Sequence, residues 1–524
     1  MKDADLPPAT AAGSASAEEG EGEGASVLGA SDLALALERL FVYSLVWSVG
    51  GLLEPSDRVL MDEYLRELGG AGDVLPEVGK GETVFEFFVD PSTLQWDKWR
   101  PPEWEYPDGE TLDFSNLLVP TMDSTRAMYL LRNLHTLNYP VLLVGGPGTA
   151  KTSTALMFFD TLDDEMLVKR VNFSSATTPG MLQATVEGEL DKRGGKSFGP
   201  PNGKRMTVFL DDLSMPLVNE WGDQPTLEIV RQLIESKGFC FLDKDKRGDF
   251  KHCEDLFYVA AMNHPGGGKN DIPNRLKRQF FVFNMVLPSL TSIDDIYGQM
   301  LSGRFPSGSS FDGGCLEVVS KLTRATIDLW NDVKRKMLPT PAKFHYVFNM
   351  RELSRVFQGV LLAPRETIMQ GGSMAPSANQ ALNLLSLWKH ECERVFCDKL
   401  INDDDKRWYE QHVLSVAERH FGKGMAAKLG EEMFFVDFMR EETEDEDGVP
   451  VPPEKVYENG GELEQVRARV QEYLDRYNEA MPSRRMELVL FDDALKHLIR
   501  ISRVLGMPRG SALLVGVGGS GRQS

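Results

Sequence analysis

A glycine-rich loop near residue 150 joins a short apolar stretch to a stretch with helical character. Val141–Val144 are four consecutive apolar residues, typical of a buried strand, and residues 153–159 continue as a helix. The residues at the junction are Gly145, Gly146, Pro147, Gly148, Thr149, Ala150, Lys151, Thr152 and Ser153. Such loops direct backbone N–H groups at phosphates, while Lys reaches the β- and γ-phosphates and Thr holds magnesium. We therefore predict a site for ATP or ADP with Mg²⁺.

Ala150 departs from the usual G-x-x-x-x-G-K-T pattern, because it occupies the position of the last glycine. We expect its methyl group to be tolerated, on the assumption that this residue already has helical dihedral angles. The alternative, an ordinary glycine turn between a strand and a helix, explains the glycines but not the Lys151–Thr152 pair that follows them.

Two acids follow a second apolar stretch, residues 206–210, and are predicted to complete the metal site. Asp211 is expected to hold Mg²⁺ together with Thr152, and Asp212 to orient the attacking water. Most ATPases of this plan have Glu in the second position. Asp is one methylene shorter, and a displacement of about 1 Å can lower a rate on the order of a hundredfold. The sequence thus predicts ATP binding with slow hydrolysis.

Further polar residues stand in the order expected for a ring ATPase. Asn263 ends a third strand, predicted over residues 256–261, and is expected to hold water near the γ-phosphate. Arg275 and Arg278 precede a fourth predicted strand, over residues 280–287, and are candidates for arginines that act on a neighbour's site in trans. Arg351 opens a helix in a predicted lid and could reach the phosphates. Each arginine taken alone could equally be a surface ion pair.

Composition favours a water-soluble intracellular protein. The formal net charge of −22 disfavours nucleic-acid binding. The apolar runs are expected to be too short to span a membrane, and the five cysteines are expected to be reduced thiols of the cytoplasm. His390, Cys392 and Cys397 could suggest zinc, but a packed helix explains them more simply.

Several motifs resemble the third AAA+ module of an axonemal dynein heavy chain of the outer-arm type. They occupy residues 211–216, 219–224, 261–268 and 270–280. Residues 119–126 resemble the segment that enters this module, and residues 40–51 resemble the end of the second module. The C-terminal residues resemble the phosphate loop of the fourth module, with Arg in place of its Lys: Gly516, Gly518, Gly519, Ser520, Gly521 and Arg522.

The resemblance implies an α/β fold, an AAA+ P-loop NTPase domain with a parallel sheet flanked by helices and a helical lid. The expected divisions are a disordered acidic and Ala/Gly/Ser-rich segment (1–30), the lid end of the preceding module with a connector (31–110), the nucleotide-binding domain (111–300), its helical lid (301–440), an acidic, Pro-containing linker (441–455) and the start of the next module (456–524). Within these, residues 188–203 are predicted to form an inserted hairpin or loop, and Ser31 to cap the first helix.

As implied by the resemblance, the parent protein would be a minus-end-directed microtubule motor of the cytoskeleton in a cilium or flagellum axoneme. This module would be regulatory and would contact its neighbouring AAA+ modules. The parent would bind the microtubule through a stalk, and intermediate and light chains through a tail, both expected to lie outside this piece. Two alternatives stay open, another giant AAA+ remodelling ATPase and a structural module that holds nucleotide without hydrolysis.

Overall fold

A computed structural model of the chain describes residues 30–68, 74–107, 114, 117–241, 245, 248–266, 269–308, 310–429, 433–441, 443–444, 450–451, 453–507 and 510–514. The α-helices are α1 Ala30–Ser48, α2 Pro55–Glu67, α3 Met122–Thr136, α4 Lys151–Phe159, α5 Pro179–Glu187, α6 Pro225–Glu235, α7 Asn274–Lys277, α8 Leu290–Arg304, α9 Gly313–Lys336, α10 Met350–Leu362, α11 Arg365–Gln370, α12 Gln380–Phe396, α13 Asp403–Phe421, α14 Lys423–Lys428, α15 Leu463–Ala480 and α16 Asp492–Leu505.

The strands are β1 Phe87–Val89, β2 Trp96–Lys98, β3 Val141–Val144, β4 Met166–Asn172, β5 Asp191–Gly194, β6 Ser197–Gly199, β7 Arg205–Asp211, β8 Gly238–Cys240, β9 Phe250–Cys253, β10 Leu256–Met262, β11 Phe281–Asn284, β12 Phe435–Val436, β13 Thr443–Glu444, β14 Pro450–Val451 and β15 Glu458–Asn459. The described residues form two compact units. The first takes its residues from 1–103 and 120–292, and the second from 104–119 and 293–524.

A five-stranded parallel sheet organises the first unit, in the order β11-β3-β10-β7-β4. Leu143, Phe209 and Ala260 on its three central strands are fully buried, because helices cover both faces of such a sheet and its strands are therefore continuously apolar. The strands predicted over residues 141–144, 206–210 and 256–261 are confirmed as β3, β7 and β10. The fourth is shorter than predicted, since β11 spans Phe281–Asn284, and β4 was not predicted at all.

A smaller sheet is inserted into the first unit and has the order β5-β6-β9-β8. Its strands β5 and β6 pair antiparallel, so the hairpin predicted within residues 188–203 is confirmed. Lys251 on β9 is buried among aromatic rings, with its ammonium 4.6 Å from the ring centre of Phe198 and 4.8 Å from that of Phe241. The carboxylate of Glu187, 2.9 Å away, balances its charge. This contact connects the insertion to α5 of the main domain.

Helix α1 differs from its prediction in two respects. It begins at Ala30, so Ser31 lies inside the helix rather than capping it. The 22-residue segment Ser31–Leu52 is the one described segment that is long and apolar enough to cross a membrane, by length and composition only. The expectation that every apolar run is too short is therefore wrong for this segment. In the first unit, Val46 and Trp47 of this segment pack with Val84 and Phe85 in one buried cluster.

Helices α9, α10, α12 and α13 form the core of the second unit. Leu322, Leu329 and Val333 of α9 recur on one helical face and are fully buried with Trp388 of α12. This confirms the helical pattern predicted for residues 310–440. Cys392 is buried within α12, and no cluster of three metal-ligating side chains occurs among the residues that the structure describes.

The segment predicted as an acidic linker contains a short antiparallel pair, β13 with β14. Beyond α16, residues 510–514 form no strand. The candidate second phosphate loop, from Gly516 to Arg522, lies outside the described residues. So do most residues of the N-terminal segment predicted to be disordered.

Candidate functional site

The parallel sheet brings the predicted polar residues together at one edge. Strands β3, β10 and β7 are neighbours, so their carboxyl ends meet, and ligands of open parallel sheets bind at that edge. Lys151 begins α4, directly after the loop that follows β3, the end of β7 carries Asp211, and Asn263 follows β10. The backbone N–H of Gly145 donates to the carbonyl of Met262 at 3.2 Å, which joins the loop to the end of β10.

The ammonium group of Lys151 lies over its own loop. Its Nζ donates to the carbonyl oxygens of Gly145 and Gly146, both at 2.8 Å, and to Oδ1 of Asn263 at 3.1 Å. The structure therefore joins two residues that are 112 positions apart in the sequence, one predicted to bind phosphate and the other to hold water. The positive charge remains at the loop, where an anion would bind.

The hydroxyl of Thr152 faces the carboxylate of Asp211. Its Oγ1 lies 3.3 Å from Oδ1 and 3.2 Å from Oδ2. Asp211 is largely buried at the end of β7, with 12 % of its side chain exposed. A hydroxyl and a carboxylate on adjoining elements are the oxygen ligands that Mg²⁺ accepts when phosphates supply the rest.

Arg170 is a member of this site that the sequence analysis missed. It lies on the edge strand β4, and its Nη2 donates to Oδ2 of Asp211 at 2.7 Å. Its Nε donates to Oδ1 of Asn172 at 2.8 Å, and its guanidinium lies 5.9 Å from the ring centre of Phe209. The sequence signal for Arg170 would have been a basic residue two positions before the end of a strand that pairs with β7. Because charged residues interrupt the apolar pattern of β4, the sequence did not predict that strand.

The expectation of helical dihedral angles at Ala150 is wrong. Ala150 is the N-cap of α4 and has left-handed angles, φ 58° and ψ 20°. The chain must turn sharply here from loop to helix, and Gly148 also has a positive φ of 87°. Glycine adopts these angles without strain, whereas a Cβ costs roughly 1–2 kcal/mol. At Gly145 the limit is space, because a Cβ would lie 2.4 Å from the carbonyl oxygen of Met285.

Asp212 also has a left-handed backbone, with φ 56°. Its side chain is exposed, and its backbone N–H donates to Oδ1 of Asp211 at 3.1 Å. Asp tolerates this conformation better than most residues because its short polar side chain bonds locally. The carboxylate is accessible at the sheet edge.

The loop has the donors that a bound phosphate chain requires. Within the described residues, the backbone N–H groups of Gly146, Gly148 and Ala150 donate to no protein acceptor. Gly146 and Gly148 are half-buried and Ala150 is exposed, so these residues are accessible to a ligand. Together with Lys151, these donors suit a polyphosphate. The single carboxylate of Asp211 beside Thr152 suits Mg²⁺, which proteins usually bind through one or two carboxylates plus the phosphates of a substrate.

The two candidate trans-acting arginines lie away from this site, on and just after α7. Arg275 Nη2 is 3.2 Å from Glu228 Oε2, and Arg278 Nη2 is 3.1 Å from Glu235 Oε1, both acids being on α6. Hydrogen bonding from Arg231 is the largest contribution that lowers the pKa of Glu228 below its ordinary value. Both arginines are more than half exposed. Their action on a neighbouring module stays a prediction.

Arg351 belongs to the second unit, where it is exposed in the first turn of α10. Its backbone N–H donates at 2.8 Å to the side chain of Asn349, the N-cap of that helix. A contact of Arg351 with phosphates stays a prediction.

Within the first unit, the ring of His135 contacts the hydroxyl of Thr207 on β7. Burial lowers the pKa of His135 to about 4, with a smaller contribution from Arg205. It is therefore neutral at pH 7.

Models of four protein families match successive parts of the chain. They are the dynein heavy chain AAA lid domain over residues 15–101, the P-loop containing dynein motor region over 106–288, the AAA+ lid domain over 322–429, and the P-loop containing dynein motor region D4 over 486–524. The apolar segment Ser31–Leu52 lies within the first of these matches.

Curated relatives align with nearly the whole chain. The gamma chain of the flagellar outer-arm dynein of Chlamydomonas reinhardtii is 48 % identical over 502 residues, which are 93 % of this chain and 11 % of that protein. Mouse dynein axonemal heavy chain 5 is 45 % identical over 93 % of this chain and 10 % of its own length. Human dynein axonemal heavy chain 8 is 43 % identical over 93 % of this chain and 11 % of its own length.

The matched families include a P-loop motor region and a lid domain, in agreement with the phosphate loop and the helices of the second unit, and P-loop motor modules of this kind bind nucleotide. The chain spans about a tenth of the length of the curated relatives named above. It belongs to the axonemal dynein heavy chains, and corresponds to a part of their AAA+ motor region.

Proposed function

We propose that this segment contains a regulatory nucleotide-binding module that binds ATP with Mg²⁺ and hydrolyses it slowly. The observation that carries the proposal is the meeting of Lys151, Thr152 and Asp211 at one edge of the parallel sheet. The shortened second acid, Asp212, supports the slow hydrolysis, because a carboxylate placed about 1 Å too far from water loses much of its effect.

Each residue has a distinct task in this proposal. Lys151 and the loop N–H groups bind the phosphates, and Thr152 and Asp211 hold Mg²⁺. When bound, the metal would neutralise phosphate charge. Asn263, which already contacts Lys151, and the exposed carboxylate of Asp212 position water. Arg351 from the lid, and an arginine of the next module in trans, would stabilise charge.

The names of the relatives suggest the setting. Axonemal and flagellar outer-arm dyneins point to a microtubule motor in a cilium or flagellum. We propose that the heavy chain containing this segment moves towards microtubule minus ends and also binds intermediate and light chains. In that motor, the state of this module would control how the first module is coupled to the microtubule-binding tip. Arg275 and Arg278 would act on the nucleotide of an adjacent module.

The test is Lys151→Ala in a heavy chain that carries this segment. We expect nucleotide affinity at this site to fall about a hundredfold, because a charge-assisted contact with two phosphates is lost. Gliding speed and nucleotide-dependent release from microtubules should change with it. The control is Lys192→Ala, on the exposed hairpin strand β5.

Unchanged gliding and release in the Lys151→Ala motor, with binding lost, would contradict the regulatory role. If the unaltered protein instead purifies with ADP that does not exchange, the site holds nucleotide as a structural component. Labelled nucleotide separates these outcomes, since exchange into this site can be followed in the same preparations.

A further inference from the structure

Arg170 contacts the acid that the proposed function assigns to the metal, and nothing in the phosphate-loop pattern requires an arginine there. We propose that Arg170 competes with Mg²⁺ for Asp211, and so raises the metal concentration at which this module binds nucleotide. This inference rests on the proposed function, in which Asp211 holds Mg²⁺, and it makes Arg170 a positioning residue that acts through Asp211. It adds regulation by free Mg²⁺ to that same site.

Three contacts set the position of the guanidinium. One nitrogen donates to Asp211 and another to Asn172, at 2.7 and 2.8 Å, while the ring of Phe209 lies 5.9 Å from its carbon. In the strand register Asn172 is directly opposite Asp211, and Arg170 is opposite Phe209. The pairing of β4 with β7 therefore sets the position from which the arginine reaches the carboxylate.

The carboxylate of Asp211 already accepts from three donors. Arg170 donates to Oδ2, the backbone N–H of Asp212 donates to Oδ1, and the single hydroxyl of Thr152 lies within 3.3 Å of both oxygens. A hydrated Mg²⁺ would need the same lone pairs and the oxygen of Thr152. A guanidinium close to the metal also repels it, and water screens this repulsion only partly because Asp211 is largely buried.

The exchange of one cation for the other requires little rearrangement. Strand β4 is at the edge of the sheet, and 42 % of the Arg170 side chain is exposed, so the guanidinium can turn towards solvent. Asn172, which is also exposed, can keep its bond to Nε while Nη2 leaves Asp211. Metal binding and release of Arg170 then become two parts of one equilibrium.

The experiment measures binding of a fluorescent ATP analogue to the 524-residue chain over a series of free Mg²⁺ concentrations. We expect Arg170→Gln to lower the Mg²⁺ concentration for half-maximal binding about tenfold, the effect of removing one charge-assisted contact. Arg170→Lys keeps the charge without the planar fork, and should lie between the two. The control is Arg324→Gln, which removes an exposed arginine–aspartate pair of the second unit, with Asp294, and should leave the curve unchanged.

A double-mutant cycle separates competition from a general loss of structure. Asp211→Asn removes the carboxylate for which both cations compete, so nucleotide binding should respond less to free Mg²⁺. Adding Arg170→Gln to Asp211→Asn should not change that response further. The proposal is overturned if Arg170→Gln leaves the Mg²⁺ requirement unchanged, or if it weakens nucleotide binding at saturating Mg²⁺. Binding that is equally absent from the unaltered chain and from Lys151→Ala would instead overturn the proposed function, and this inference with it.

Discussion

Asp212 stands where the proposed function needs an acid to orient water, and its carboxylate is one methylene shorter than that of glutamate. The structure places it exposed at the edge of the sheet, next to the buried Asp211. Its left-handed backbone suits aspartate, since the side chain can bond locally. The residue is thus compatible with the fold, while its reach is limited.

Replacing Asp212 with glutamate should therefore speed hydrolysis at this site. We expect a gain of about tenfold to a hundredfold, because the longer side chain brings the carboxylate about 1 Å closer to the water. The measurement is single-turnover hydrolysis of labelled ATP by a heavy chain that carries this segment, since the proposed trans-acting arginine would come from the next module. Lys151→Ala removes the contribution of this site and serves as the background. A rate no higher than that of the unaltered chain would show that reach does not limit turnover.

Among the secondary-structure elements, α4 combines a regular helix with a strained start. Ala150 is held at φ 58° so that the loop can turn into the helix, while Ala155 is fully buried within the helix itself. The same residue type thus occupies two backbone conformations five positions apart, which allows a matched comparison.

Ala150→Gly should stabilise the first unit by about 0.5–1 kcal/mol, because the relief of left-handed strain exceeds the added entropy of the unfolded chain. Ala155→Gly should have the opposite sign and destabilise by about 1 kcal/mol or more, since glycine is unfavourable inside a helix and a buried methyl group is lost. Urea unfolding, followed by a signal from the first unit, gives both values. A loss of stability in Ala150→Gly would mean that the strain is compensated by contacts of the methyl group.

On the scale of a whole folded unit, a buried ion pair connects distant parts of the second unit. Arg503 of α16 donates from Nη2 to Oε2 of Glu391 on α12 at 2.7 Å, and Tyr457 donates to the same carboxylate. Burial disfavours the charge on Arg503, but Glu391 and Tyr457 raise its pKa above the ordinary value. Gly359 of α10 makes room, since a Cβ there would overlap Oε2 of Glu391.

Breaking this pair should be costly. Glu391→Gln leaves the guanidinium of Arg503 buried without its counter-charge, and we expect a loss of about 3–5 kcal/mol in the free energy of unfolding. The double variant Glu391→Gln, Arg503→Met should recover much of it, because the pair then leaves no uncompensated buried charge. Glu317→Gln, at an exposed pair with Lys321, is the control and should change stability by less than about 0.5 kcal/mol. Equal losses in the single and the double variant would contradict this account.

The sequence by itself determined which residues were candidates for binding nucleotide and metal, and their order along the chain. An apolar strand, a glycine-rich loop and Lys151–Thr152 are local patterns, and so are Asp211 and Asn263, each at the end of an apolar run. Carboxyl ends of parallel strands meet at one edge, so the sequence alone predicts that these residues lie close together. The dynein motifs could also be recognised in short stretches of consecutive residues, and the family matches confirm that resemblance.

Only the tertiary structure decided what lies across strands and between helices. Arg170 reaches Asp211 because β4 pairs with β7. The strand β4 lies at the edge of the sheet, and its charged residues interrupt the apolar pattern by which a strand is predicted. The left-handed angle of Ala150 became visible only in the folded chain, where the loop turns sharply into α4. Arg503 meets Glu391 across 112 residues, and Arg275 meets Glu228 on another helix. Such contacts depend on side chains from separate elements approaching in space, which spacing along one stretch of sequence does not encode.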